Sequence, residues 1–170
     1  MNIVFWIILI ALILDFVIGF VSTILNLRSL KSTPPPGLED VYETEKYRKS
    51  QEYTRVQSRF GLIVSSCKLA LLLIFWFLGG FNYIDQVIRL MELSEILNGI
   101  AFIGILGTLS LIISIPFDLY GTFVIEEKFG FNQTTYSTFI LDMLKNIFLA
   151  IVVGIPLLIG VLYFFEYTGA

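Results

Sequence analysis

Four apolar blocks, each long enough to cross a bilayer, dominate this 170-residue chain. A hydrocarbon layer about 30 Å thick is crossed at about 1.5 Å per helical residue, so a span needs about 20 mainly apolar residues. The blocks run over about 3–25, 61–81, 97–120 and 143–165. Lipid offers no hydrogen-bond partner, so a spanning segment must satisfy its own backbone. Blocks this long and continuous read as helices, not barrel strands. The first block is too long and uniform for a signal peptide and lacks a basic start, which predicts a retained helix. The expected fold class is therefore all-α: a polytopic transmembrane helical bundle of about four spans, with residues 1–170 as a single membrane domain.

Composition then narrows the chemistry. Charged residues make up 15% of the chain, against about a quarter in soluble domains. The net charge of −3 carries no nucleic-acid footprint. The one cysteine, Cys67, has no partner for an intramolecular disulfide, and its apolar surroundings predict a buried, inert thiol. The chain contains no histidine. A histidine-based zinc site or a histidine general base therefore cannot be built from it, and no carboxylate spacing fits a Ca²⁺ or Mg²⁺ loop.

Lys and Arg in the loops set the expected orientation. Residues 26–60 carry seven of them: Arg28, Lys31, Lys46, Arg48, Lys49, Arg55 and Arg59. The loop between the second and third spans has only Arg89; the third loop has Lys128, with Lys145 at the start of the fourth span. Both termini are thus expected outside or in a lumen, with residues 26–60 and 121–142 cytoplasmic. The membrane itself is expected to be the endoplasmic reticulum or a prokaryotic plasma membrane.

The first loop is more than a turn. Thr33-Pro34-Pro35-Pro36-Gly37 is a stiff breaker. Residues 38–60 then lack Gly and Pro, and Leu38, Val41, Tyr42, Tyr53, Val56 and Phe60 fall near one face. This predicts a cytoplasmic juxtamembrane helix over 38–60 that runs into the second span, with a Glu45–Lys49 ion pair. Its aromatic stripe suits either a solvated helix or a dock for a soluble domain. Between the second and third spans, Val87, Ile88, Met91 and Ile96 predict a short amphipathic helix.

The third span ends in Pro116-Phe117-Asp118-Leu119-Tyr120 and passes into Phe123-Val124-Ile125-Glu126-Glu127-Lys128-Phe129-Gly130-Phe131-Asn132. Pro116 can kink or thin the helix end. Glu126-Glu127-Lys128 reads as a charged turn, Gly130 as a left-handed stop, and Asn132 or Thr134 as the cap of the next helix. Asn132-Gln133-Thr134 also fits a glycosylation sequon, which a cytoplasmic loop would leave unmodified.

The string from Phe123 to Asn132 resembles the signature in the N-terminal membrane region of the type I CAAX prenyl proteases, which are integral-membrane zinc metallopeptidases. The stretch Asp40-Val41-Tyr42, with Glu45 to Arg55, is similar to the segment before that family's second span. The resemblance covers nearly the whole chain but only the family's N-terminal portion. It implies a membrane chamber and a cytoplasmic rim, to which Glu126, Glu127, Phe129, Gly130, Phe131 and Asn132 would contribute. The family's H-E-x-x-H is absent, and the chain stops at Gly169-Ala170 before that part would begin. Zinc is therefore expected only in a missing catalytic part, supplied by the full-length chain or in trans. The partners implied are the lipid bilayer, that peptidase domain and a prenylated peptide. The alternative is a stand-alone, non-enzymatic membrane scaffold or lipid-binding chamber.

Two charges lie inside the apolar blocks. Asp15 is about ten residues, and Lys68 about seven, from the cytoplasmic ends of their spans, roughly 10–15 Å deep at about 1.5 Å per residue. A lone charge at the bilayer centre costs about 2.5–3.5 kcal/mol on insertion scales, and sequential helices are usually neighbours. These terms predict an intramembrane pair between Asp15 and Lys68, with no catalytic role.

The chain on its own is expected to bind no stoichiometric zinc and to cleave no peptide. Metal analysis of the purified protein checks this, and one tightly bound zinc per molecule would contradict it.

Overall fold

The computed structural model describes residues 3–31, 33–34 and 43–168. It places helices α1 at Ile3–Ser29, α2 at Thr44–Phe77, α3 at Gly80–Arg89, α4 at Glu95–Tyr120, α5 at Glu127–Phe129, α6 at Tyr136–Leu149 and α7 at Ile155–Thr168. Short π-helical turns at Gly121–Glu126 and Ala150–Gly154 join α4 to α5 and α6 to α7. No strand occurs among the described residues. Four continuous helical stretches are long and apolar enough to cross a membrane: Ile3–Ser29, Thr44–Phe77, Glu95–Phe129 and Tyr136–Thr168. The expected all-helical, four-span architecture is the one found.

The boundaries differ from the sequence expectation in instructive ways. The second span ends at Phe77, not Phe81, because Gly79 adopts a left-handed φ of 77°. The third does not stop at Tyr120. Its backbone continues through the π turn to Phe129 and is ended by Gly130, at a left-handed φ of 67°. Pro116 lies inside α4 without terminating it. The π turn at Ala150–Gly154 is followed at once by Pro156, whose ring nitrogen cannot donate. Such local rearrangement is how spanning helices absorb a proline. The long juxtamembrane helix is real from Thr44 onward. Leu38, Val41 and Tyr42, and the Asp40–Tyr42 segment, lie outside the described residues. Glu45 pairs with Arg48 at 3.3 Å, one position nearer than the expected Lys49.

The chain forms two compact units, Met1–Leu73 with Phe117–Asn132, and Ile74–Pro116 with Gln133–Ala170. In the second unit, α3 is amphipathic and buries Ile84 and Ile88, one turn apart. Val87 and Met91, the other side of the expected stripe, stay exposed. Arg89 bridges Asp85 at 2.9 Å and Glu95 at 3.8 Å. The hydrogen bond that Arg89 donates to Asp85, then the charges of Asp85 and Glu95, push the guanidinium further above its usual range.

In the first unit, α1 is tied to α2 where Arg55 donates to the Leu30 carbonyl at 3.5 Å, beyond the last turn of α1. Hydroxyls within the spans satisfy themselves along their own helices: Thr23 to the Gly19 carbonyl at 2.9 Å and Ser66 to the Leu62 carbonyl at 2.7 Å. No residue of the four most apolar span windows is buried. Their side chains are half-buried or exposed.

Ile88 is only 1% exposed. Ile88→Ala should cost about 2–5 kcal/mol, read as a lowered unfolding midpoint in detergent, whereas Val87→Ala should move it little.

Candidate functional site

The third span delivers the charged motif to the flank of α2. Within the first unit, Tyr53 of α2 meets Phe129 edge-on at 5.5 Å and Phe131 at 4.8 Å. Lys49, one turn earlier, sits 5.6 Å over the Phe131 ring, and Lys128 lies 5.4 Å over Phe129. Phe129 and Ile125 are buried, the only such residues among the described part of this unit. Two turns further along α2, Phe60 packs against Tyr120 at 5.0 Å and Phe117 at 6.5 Å.

The backbone around Gly130 is tightly bonded. The N–H groups of Phe131 and Asn132 both donate to the Glu126 carbonyl, at 2.9 and 3.3 Å, and Gly130 donates to Glu127 at 3.0 Å. The Asn132 side-chain amide donates to the Glu127 carboxylate at 2.9 Å. That bond replaces the expected capping role. Thr135 caps α6 instead, accepting from the Thr138 N–H at 3.2 Å. Glu126-Glu127-Lys128 is likewise not a turn but the junction of the π turn with α5.

Glu126 and Glu127 therefore separate in role. Glu127 holds the Gly130 corner, while Glu126 lines a cavity of about 620 Å³ between α2 and the α4–π segment. Gln57, Ser65 and Lys68 line it from α2; Asp118, Thr122 and Glu126 line it from the other side, at successive turns. The Gln57 side-chain oxygen is buried and has no hydrogen-bond partner among the described residues. A second cavity of about 560 Å³ lies between α1 and α2 and brings Asp15 together with Lys68. Gly61, Ser65 and Lys68 belong to both. Among the described residues no direct ion pair joins Lys68 to Asp15 or Asp118, and all three side chains are exposed to these spaces. No group of three or more Cys, Asp or Glu among the described residues could hold a metal.

Asp118 and Gln57 carry no signal in the sequence reading. Asp118 sits at a span end, where a charge is ordinary, and only the facing of α2 and α4 shows that it shares a space with Lys68.

The family model described as CAAX prenyl protease N-terminal, five membrane helices, matches residues 23–170. The chain belongs to the CAAX prenyl protease family. It is the N-terminal membrane domain of such a protein. CAAX prenyl protease 1 of Saccharomyces cerevisiae is 33% identical over 143 residues, covering 78% of this chain and 31% of the relative. A CAAX prenyl protease 1 homolog of Arabidopsis thaliana is 31% identical, covering 92% of this chain and 41% of its own length. A crystal structure of S. mikatae Ste24p superposes with a TM-score of 0.82 at 31% identity, covering 92% of this chain and 38% of that one. The chain thus spans about a third of the length of the curated relatives it matches. The domain's multi-pass, membrane-embedded character follows from the four spans and the family together.

An aromatic pair contributes about 0.5–1.5 kcal/mol beyond area burial. A double-mutant cycle of Tyr53→Ala and Phe131→Ala, read by thermal unfolding in detergent, should return a coupling of that size. Gly130→Ala should cost about 1–2 kcal/mol for its left-handed φ, although its Cβ would meet only the Lys49 ammonium at 3.6 Å.

Proposed function

We propose that this domain forms the membrane chamber and cytoplasmic rim of a prenyl-peptide endopeptidase, completed by a zinc-binding catalytic part in the full-length chain or in trans. The observation that carries the reading is the pairing of the family motif with the α2 extension through Tyr53, Phe129 and Phe131. It builds an ordered ledge at one end of two spans, where a soluble domain can seat. Glu126, Glu127, Phe129, Gly130, Phe131 and Asn132 make that rim. The 31% identity to a CAAX prenyl protease 1 homolog of Arabidopsis thaliana over 92% of this chain supports a prenylated peptide as substrate. None of this chain's residues is given a step in the peptide cleavage, since the histidine-bearing zinc site belongs to the other part.

The seven basic residues of 26–60 support a cytoplasmic rim and outward or lumenal termini. The contact of Tyr53 with Phe129 and Phe131 supports a shared side of the membrane for the first and third loops. In a Cys67→Ala background, Ser50→Cys should resist an impermeant thiol reagent added outside intact cells. Labelling from outside would reverse the orientation.

Asp15 and Lys68, set on one cavity without touching, would be coupled through water. Removing one charge leaves its partner uncompensated. Asp15→Asn or Lys68→Met alone should therefore lower detergent stability more than the two together. Strictly additive losses would end the pairing.

Activity tests the whole reading. This chain, co-expressed with a relative's chain lacking its own N-terminal membrane domain, should release the C-terminal tripeptide from a farnesylated tetrapeptide, whereas neither part alone does. An assembled pair that cleaves nothing would contradict the proposal.

A further inference from the structure

Four cations gather at one end of the α1–α2 pair. Arg28 lies in the last turn of α1, and Lys31 follows just beyond that helix. Arg55 of α2 is tied to the same place, since one of its donors reaches the Leu30 carbonyl at 3.5 Å. That bond sets Arg55 level with Leu30, and Arg59, one turn further on, stands about 6 Å nearer the membrane interior. None of the four enters an ion pair among the described residues. Glu52, the nearest acidic residue along α2, is exposed and pairs with none of them. Positive charges at a membrane surface without a counter-charge from the protein call for an anion.

Directly beneath them is a groove with room for a chain. The 560 Å³ cavity between α1 and α2 begins at Thr23 and Ser58, on the side of the cations, and runs inward to Leu12 and Leu69. At about 1.5 Å per residue, each wall is about 16 Å long, close to half of a hydrocarbon layer about 30 Å thick. The groove is therefore about one leaflet deep. Phe16, Phe20 and Leu62 make its sides apolar. Gly19 and Gly61 hold it open, since a Cβ built on either would meet nothing within 4 Å. Asp15 and Lys68 stand toward its inner end. Neither helix buries a residue, so side chains leave this contact unfilled.

We propose that the α1–α2 pair binds one anionic phospholipid, drawn from the leaflet on the side of the α1–α2 loop. The phosphate lies against Arg55 and Arg59, whose planar guanidinium groups can grip it in bidentate fashion, with Arg28 and Lys31 adding charge from α1. One acyl chain lies in the groove along Phe16, Phe20 and Leu62 and stops short of Asp15 and Lys68. The lipid thus completes the packing of α1 on α2. The site holds whichever way the chain is oriented and does not depend on the domain serving a peptidase.

Native mass spectrometry of the full chain in detergent tests this, with dioleoyl phosphatidylserine and dioleoyl phosphatidylcholine as probes. The two share their acyl chains, and only the first carries net negative charge. One phosphatidylserine per chain should be retained, about tenfold more tightly than phosphatidylcholine, equivalent to about 1.4 kcal/mol. Arg55→Gln/Arg59→Gln should abolish that preference. Lys46→Gln/Arg48→Gln, which removes as much charge further out on α2, should keep it. Gly19→Leu/Gly61→Leu, which fills the groove, should weaken binding of both lipids, and glycerophosphoserine, a headgroup without chains, should displace neither. Equal retention of the two lipids overturns the site. So does loss of the preference in the Lys46/Arg48 variant, which would leave only a diffuse surface charge. Lipid binding unchanged by filling the groove, or displaced by glycerophosphoserine, removes the acyl chain from the groove and overturns the proposal. Farnesol that displaces the lipid equally well with and without the two arginines assigns the groove to a prenyl chain instead. Circular dichroism of each variant confirms that the helices are retained.

Discussion

Hydrocarbon cannot solvate a charge or an idle peptide group, and most features of this domain follow from that one constraint. Backbone bonds must close within each span, so a proline inside a span is accommodated by local change. The π turn before Pro156 is one such change. Span hydroxyls bond back to carbonyls of their own helix for the same reason, as Thr23, Ser66 and Thr108 do. Charges have no such recourse. Asp15, Lys68 and Asp118 can be tolerated only where they share water or one another, and α1, α2 and α4 bring them onto two adjoining cavities.

The spans are not stitched by a conventional core. None of their most apolar residues is buried, and in the first unit the burial is confined to Ile125 and Phe129 beside the motif. In the first unit, aromatic contacts join α2 to the end of the third span: Tyr53 with Phe129 and Phe131, Phe60 with Tyr120 and Phe117. The corner after Gly130 is held by the Glu126 carbonyl, which accepts from the Phe131 and Asn132 N–H groups, and by the Glu127 carboxylate, which accepts from the Asn132 amide.

Much of this was legible in the order of residues. Four spans, the long helix entering the second, the left-handed Gly130 and the amphipathic segment at α3 all rest on local rules of length, period and breaker. Errors fell where a neighbour in space overruled a local preference. Asn132 is a good helix cap in isolation, but it is drawn to Glu127, and Thr135 takes the end of α6. The Glu126-Lys128 run looks like a surface turn, yet burial of Ile125 and Phe129 on either side keeps it helical. Lys49 could bond Glu45 along its helix, but sits over the Phe131 ring brought to it by another span.

The sequence by itself determined the class of environment, the number of spans and the family, because hydropathy blocks and a contiguous ten-residue motif are properties of a linear string. The absence of histidine likewise settled that these residues cannot themselves build a histidine-bearing zinc centre. Only the tertiary structure decided which polar residues face a common space. Gln57, Lys68, Asp118 and Glu126 are up to 69 positions apart, from residue 57 to residue 126, and no local rule links them. They meet because α2 and α4 lie side by side at a register set by Phe60, Phe117 and Tyr120. A shift of one residue would rotate each by about 100° on a helix with 3.6 residues per turn, and the polar stripe would face lipid.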